Sequence, residues 1–107
     1  MNFQNINIFI GGSTSGIGWE CAKLFALKGA NVTLVSRDIK KLENRISELF
    51  NNGSQNHMLL ALDYNNPNNL EINLDEFVRR NNISFDVIIN NTGGPPGGLL
   101  HKADANE

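Results

Sequence analysis

The sequence predicts an α/β fold in which a parallel sheet is wound with helices on both faces. Three observations carry this. Short runs rich in apolar and β-branched residues recur along the chain: INIFI, VTLVS, HMLLAL and DVIIN. Between them lie longer stretches with apolar residues at helical spacing. Strand–helix alternation with right-handed crossovers gives a parallel sheet. A glycine-rich segment, GGSTSGIG (residues 11–18), sits at the first strand-to-helix junction. At 107 residues the chain is one domain or part of one.

Taken in order, residues 6–10 read as the first strand. Residues 16–28 read as a helix, with Gly29 placed to end it. Residues 32–36 are rich in β-branched side chains and form a second strand. Asp38 caps a second helix that runs to about residue 51. Residues 57–62 are a third strand. Asn66 followed by Pro67 gives the cap-then-proline order of a third helix, reaching about residue 80. Residues 86–90 are a fourth strand. The helices repeat apolar residues at i, i+4, i+7 and i+8: Ile17, Cys21, Leu24 and Phe25; Leu42, Ile46, Leu49 and Phe50; Leu70, Leu74, Phe77 and Val78. Each set predicts a stripe facing the sheet. The strands are continuous apolar runs, as expected where both faces are buried. No repeat, linker or second domain is visible.

Composition narrows the function classes. Apolar residues make up 40% and charged residues 19%, and the net charge is −2. This balance gives no electrostatic reason to bind nucleic acid. Cys21 is the one cysteine, so no intrachain disulfide forms, and a reducing, cytoplasmic setting is the expectation. The first residues lack the pattern of a signal peptide, and no apolar run is long enough to span a bilayer. Asparagine clusters (NNGSQN, NNPNN, RRNN) are expected in turns and at helix ends.

The glycine segment carries chemistry. A helix starting at Gly16 presents unpaired N–H groups and the positive end of its dipole. A pyrophosphate is stabilised there. Side chains at Gly12 or Gly16 would obstruct its approach, and Gly18 lets the first helical turn pack closely. Ser13, Thr14 and Ser15 add hydroxyls around the same spot. At the end of the second strand an acidic residue would accept hydrogen bonds from a free ribose 2′-OH. Ser36 stands there instead, followed by Arg37, whose forked donors suit a 2′-phosphate. Asp38 is expected to cap the next helix rather than face the ribose.

The order Gly11-Gly12-Ser13-Thr14-Ser15-Gly16-Ile17-Gly18 resembles the first loop of the short-chain dehydrogenases/reductases, Thr-Gly-x-x-x-Gly-x-Gly. Gly11 stands where the family has threonine. The resemblance implies a Rossmann-type fold with strand order 3-2-1-4, and a dinucleotide along the segment from Gly12 through Ile17 to Gly18. The pair Ser36-Arg37 is similar to that of NADP-preferring members, so NADP is favoured over NAD. Asp63 and Tyr64 match the positions that contact adenine. Asn90-Asn91-Thr92-Gly93 resembles the family's Asn-Asn-Ala-Gly, which places Asn90, Thr92 and Gly93 beside the adenosine ribose. The continuation through Pro95 and Pro96 is similar to a variant in oxoacyl-carrier-protein reductase-like members.

The family's catalytic Tyr-x-x-x-Lys pair is absent from these 107 residues. The one tyrosine, Tyr64, is followed four residues on by Asn68. His57, His101, Cys21, Asp75 and Glu76 form no catalytic pattern, and no cluster has metal-ligand spacing. No catalytic residue is assigned. Residues 1–107 therefore read as the NADP-binding portion of a short-chain reductase, a partial domain lacking the catalytic C-terminal half and inactive by itself. The alternative is a stand-alone nucleotide-binding module or sensor. An unrelated doubly wound protein, such as a methyltransferase-like domain, predicts an acidic residue at the Ser36 position. In the partial fold the fourth strand, with Val87, Ile88 and Ile89, is an open edge suited to self-association.

Overall fold

The computed structural model describes residues 2–63 and 67–90. Four strands and three helices alternate: β1 (Asn7–Gly11), α1 (Gly16–Leu27), β2 (Asn31–Ser36), α2 (Ile39–Ile46), β3 (Met58–Ala61), α3 (Pro67–Asn81) and β4 (Val87–Asn90). All pairings are parallel and the sheet order is β3-β2-β1-β4. The predicted fold class and strand order are both present.

The continuous apolar strands bury both faces, as their composition predicts. Ile8, Ile10, Val32 and Leu34 face one way and join Trp19, Ala22, Ala26 and Leu42 from α1 and α2. Phe9, Val35, Leu60 and Leu62 face the other way and join Leu70 and Phe77 of α3. Alternation along each strand thus divides one apolar run between two cores. Phe85, leading into β4, packs its ring edge on Phe9 and stacks parallel to Phe77, at centroid distances of 5.2 and 6.4 Å.

The three predicted stripes fare differently. On α3, Leu70 and Phe77 are buried, with Leu74 and Val78 partly so. On α2, Leu42 and Leu49 are buried but Phe50 is exposed. On α1 the predicted stripe is displaced: Ile17 is 72% and Leu24 53% exposed. The buried residues are Gly18, Trp19, Ala22 and Ala26. Gly18, Ala22 and Ala26 form their own i, i+4, i+8 row. Small side chains let the helix rest close to the sheet, and the larger apolar residues are turned onto a flank. There Ile17, Cys21 and Leu24 line a shallow groove with Gly16 and Glu20. Cys21 is half-buried against the core rather than within it.

Element ends follow local chemistry. Asp38 caps α2, its Oδ1 accepting from the N–H groups of Lys40 and Lys41 at 3.1 and 3.2 Å. The helix stops at Ile46, short of the predicted residue 51. The Ser47 hydroxyl donates to the Asn44 carbonyl at 2.9 Å, and the next N–H groups close tighter turns, Glu48 on Arg45 and Leu49 on Ile46. After α3, Asn82 takes a positive φ of 49°, the left-handed cap that the RRNN cluster predicts. No helix among the described residues is long and apolar enough to cross a membrane.

Candidate dinucleotide site

The C-terminal ends of the strands converge at one edge of the sheet. The register sets Gly11 beside both Val35 and Asn90, and Ser36 beside Ala61. Strand order reverses between β1 and β4, and a crevice outside the strand ends forms at such a switch point. The topology therefore brings Gly12–Gly18, Ser36, Arg37, Asp63 and Asn90 to one side of the molecule. Tyr64, Thr92 and Gly93 lie outside the described residues.

Within the loop, each residue has a separate task. Gly12 and Gly16 adopt φ of 67° and 60°, the left-handed region that L side chains rarely enter. A Cβ built on Gly16 meets nothing within 4 Å, so the space before it is open. A Cβ on Gly18 would overlap the Gly12 carbonyl oxygen, with Ser13 Cα only 3.1 Å away. Gly18 thus lets the first turn of α1 close onto the loop itself. Ser15 is the exposed N-cap of α1, but its side chain makes no capping hydrogen bond, and no acidic residue occupies the first turn. The helix start keeps its positive character for a group from outside the helix.

The loop is fastened to β2. Ser13 is fully buried; its N–H donates to the Val35 carbonyl at 3.1 Å, and its Oγ accepts from the Val35 N–H at 2.8 Å. The Ser13 hydroxyl is therefore engaged with the strand. Thr14, also buried, donates its hydroxyl to Ser36 Oγ at 3.5 Å. Ser36 Oγ in turn accepts the Asp38 N–H at 3.2 Å, and the Ser36 carbonyl accepts the Leu62 N–H at 3.0 Å. This last bond ties the β3 exit, and so Asp63, to the end of β2. Arg37 is exposed, and neither ion pair found among the described residues involves it. The Asp38 carboxylate, by contrast, is held by the start of α2.

Asn90 ends β4, beside Gly11 on the side of β1 away from β2. Its Oδ1 is buried and has no hydrogen-bond partner among the described residues. A buried amide oxygen without a partner costs about 1–3 kcal/mol, and a ligand donor at this edge would relieve that cost. The open space at Gly16, the uncapped start of α1 and this orphaned oxygen all fit a polar, anionic ligand lying across the strand ends. No group of three or more His, Cys, Asp or Glu among the described residues could hold a metal.

Two residues escaped the sequence reading. Arg45, on α2, donates Nε–H to the Thr14 carbonyl at 3.1 Å. Its guanidinium lies 4.8 Å from the centroid of the Trp19 ring. Trp19 is buried beside α2, and its backbone N–H donates to the Ser15 carbonyl at 3.3 Å. A helical arginine thirty-one residues from its partner leaves no local signal. His57 was read without a role and has a structural one: Nδ1 accepts the Val32 N–H at 3.1 Å, while Nε2 lies 2.7 Å from the Phe50 carbonyl.

Comparison with known proteins follows the same outline. A family model described as short chain dehydrogenase matches residues 7–107. The mouse dehydrogenase/reductase SDR family member 7B is 33% identical over 93 residues, covering 84% of this chain and 28% of the mouse protein. Salutaridine reductase of Papaver somniferum is 29% identical over 82 residues, covering 77% of this chain and 26% of the plant enzyme. Among solved structures, L-sorbose reductase from Gluconobacter frateurii, complexed with NADPH and L-sorbose, superposes with a TM-score of 0.76 at 29% identity. That match covers 90% of this chain and 36% of the reductase. The chain thus spans less than a third of the length of these curated relatives.

Proposed function

The chain belongs to the short-chain dehydrogenase/reductase family, and from that premise we propose that it binds NADP as the nucleotide-binding portion of a reductase acting on carbonyl or alcohol groups. The observation that carries the choice of NADP is the end of β2. Ser36 stands where an acidic residue would hold a free 2′-OH. The Asp38 carboxylate is occupied by Lys40 and Lys41 amides, and Arg37 is exposed beside them. A guanidinium whose adjacent carboxylate is already engaged by the start of α2 favours a 2′-phosphate.

In this reading the pyrophosphate lies at the start of α1, over Gly16. The Ser15 hydroxyl, Ile17 and the amides up to Gly18 surround it. The residues assigned to the adenosine are Ser36, Asp63, Tyr64, Asn90, Thr92 and Gly93. The cofactor supplies hydride transfer; these residues bind and orient it. With no Tyr-x-x-x-Lys pair in the 107 residues, proton transfer to a substrate needs groups from elsewhere, and the chain by itself reduces no carbonyl. The proposal also takes the setting as cytoplasmic, the partner as a dinucleotide rather than nucleic acid, and the β4 edge as a surface for self-association.

Calorimetric titration of the folded chain with NADPH and NADH tests the reading. NADPH binds more tightly, and Arg37→Ala brings the two affinities together while leaving the unfolding free energy within about 0.5 kcal/mol of the unmutated chain. Equal affinities in the unmutated chain would refute the NADP assignment.

A further inference from the structure

We propose that Arg45 is a positioning residue for the dinucleotide: by holding the Thr14 carbonyl it aims the Ser15 amide at the pyrophosphate. The inference rests on the dinucleotide reading of the loop and adds a residue from outside the glycine segment to it.

The peptide between Thr14 and Ser15 leads directly into the start of α1. There is no cis peptide bond among the described residues, so this carbonyl and the Ser15 N–H point in opposite directions. Arg45 draws the carbonyl toward α2 with a charge-assisted hydrogen bond at 3.1 Å. The N–H is thereby directed away from α2. The next residue is Gly16, before which the space is open. Without a partner, this peptide could rotate and turn its carbonyl, a negative dipole end, toward the anion instead.

The guanidinium is itself fixed. Trp19 underlies it at 4.8 Å, and Nη1 reaches the Glu48 carboxylate at 3.4 and 3.5 Å. Both contacts leave Nε committed to Thr14. The backbone N–H of Trp19 donates to the Ser15 carbonyl at 3.3 Å, the first helical bond of α1, so the carbonyls on either side of the Ser15 residue are held by residues that touch each other. Ser13 and the Thr14 hydroxyl are already fastened to β2. The Thr14 carbonyl is the contact by which α2 enters the loop. Arg45 is thus separate in role from Arg37: one sets the backbone for the pyrophosphate, the other meets the 2′-phosphate.

The experiment uses the 107-residue chain, labelled with ¹⁵N, as unmutated protein and as Arg45→Met and Arg45→Lys. In the ligand-free chain, the Arg45 Nε–H signal exchanges with water more slowly than that of Arg37. In Arg45→Met the Ser15 and Gly16 amide signals move, and in Arg45→Lys, which keeps a cationic donor, they return most of the way. Titrations then show NADPH and NADH weakened about tenfold each by Arg45→Met, with their ratio preserved. Binding of adenosine 2′-monophosphate, which has no pyrophosphate, is unchanged. Unmoved Ser15 and Gly16 signals, or an Arg45 Nε–H as labile as that of Arg37, overturn the inference without any variant having to bind. A loss confined to NADPH overturns it too, since Arg45 would then be touching the 2′-phosphate. Failure of the unmutated chain to bind either nucleotide refutes the dinucleotide reading, and with it any role for Arg45 in aiming a pyrophosphate donor, while the signals still report separately whether Arg45 orients the loop.

Discussion

The two edges of the sheet are built from similar residues and treat them in opposite ways. At the N-terminal edge, polar side chains close on one another. Asn7 N–H donates to the Asp86 carboxylate at 2.8 Å, Asn31 Nδ2 donates to Asn7 Oδ1 at 3.0 Å, and Asn31 Oδ1 accepts the Asn56 N–H at 2.8 Å. Gln55, buried nearby, donates Nε2–H groups to the Ala26 and Ala30 carbonyls at 2.9 and 2.6 Å. At the C-terminal edge, Asn90 Oδ1 is buried without a described partner, Ser15 caps nothing and Arg37 stands exposed. Polar groups that satisfy each other hold a fold together; polar groups left open at a strand-end crevice are where a ligand makes up the difference.

Substitutions that strike the two edges separately can break this contrast. Gly18→Ala has the largest expected effect, because its Cβ would overlap the Gly12 carbonyl. It costs about 1–3 kcal/mol of stability and, by shifting the loop, abolishes measurable dinucleotide binding; chemical denaturation and calorimetry together read both. Gln55→Leu follows, leaving two buried carbonyls without their donor, at about 2 kcal/mol. Its denaturation midpoint falls, yet the folded fraction binds dinucleotide with unchanged affinity. A loss of affinity there would erase the distinction between the edges.

Asn31→Ala and Asn90→Ala form the sharpest pair. The first loses about 1–2 kcal/mol because it strips two hydrogen bonds from the closed network. The second does not lower stability, since the buried oxygen it removes has no described partner, and instead weakens dinucleotide binding. Urea melts of the two variants side by side decide the matter; equal losses would show that Asn90 is structural. Smallest is Asp38→Ala, which gives up the α2 cap for about 1 kcal/mol and leaves the NADPH-to-NADH ratio as it was. An altered ratio would place that carboxylate at the ribose after all.

Much of the site was legible because its signals are local. The spacing of Gly12, Gly16 and Gly18, and the adjacency of Ser36, Arg37 and Asp38, each describe a single turn of chain. The Asp38 cap was readable for the same reason: the N–H groups that donate to it lie two and three residues away. The stripe on α1 was misread because a hydropathy pattern weighs large apolar side chains, and close helix–sheet contact selects small ones. Gly18, Ala22 and Ala26 carry little hydropathy and therefore little signal. Arg45 was invisible because its partner, Thr14, lies on another element.

The sequence by itself determined the order of elements, the parallel sheet, the glycine turn and the Ser36-Arg37 pair at the end of β2, since each depends on backbone preferences and neighbours a few residues apart. Only the tertiary structure decided which flank of α1 meets the sheet, how Ser13 is spent on β2, where Arg45 reaches, and that Asn90 keeps a buried oxygen open. Those outcomes depend on contacts between residues from twenty-two to seventy-nine positions apart, and hydrogen-bond and packing geometry at that separation exists only once the chain has closed.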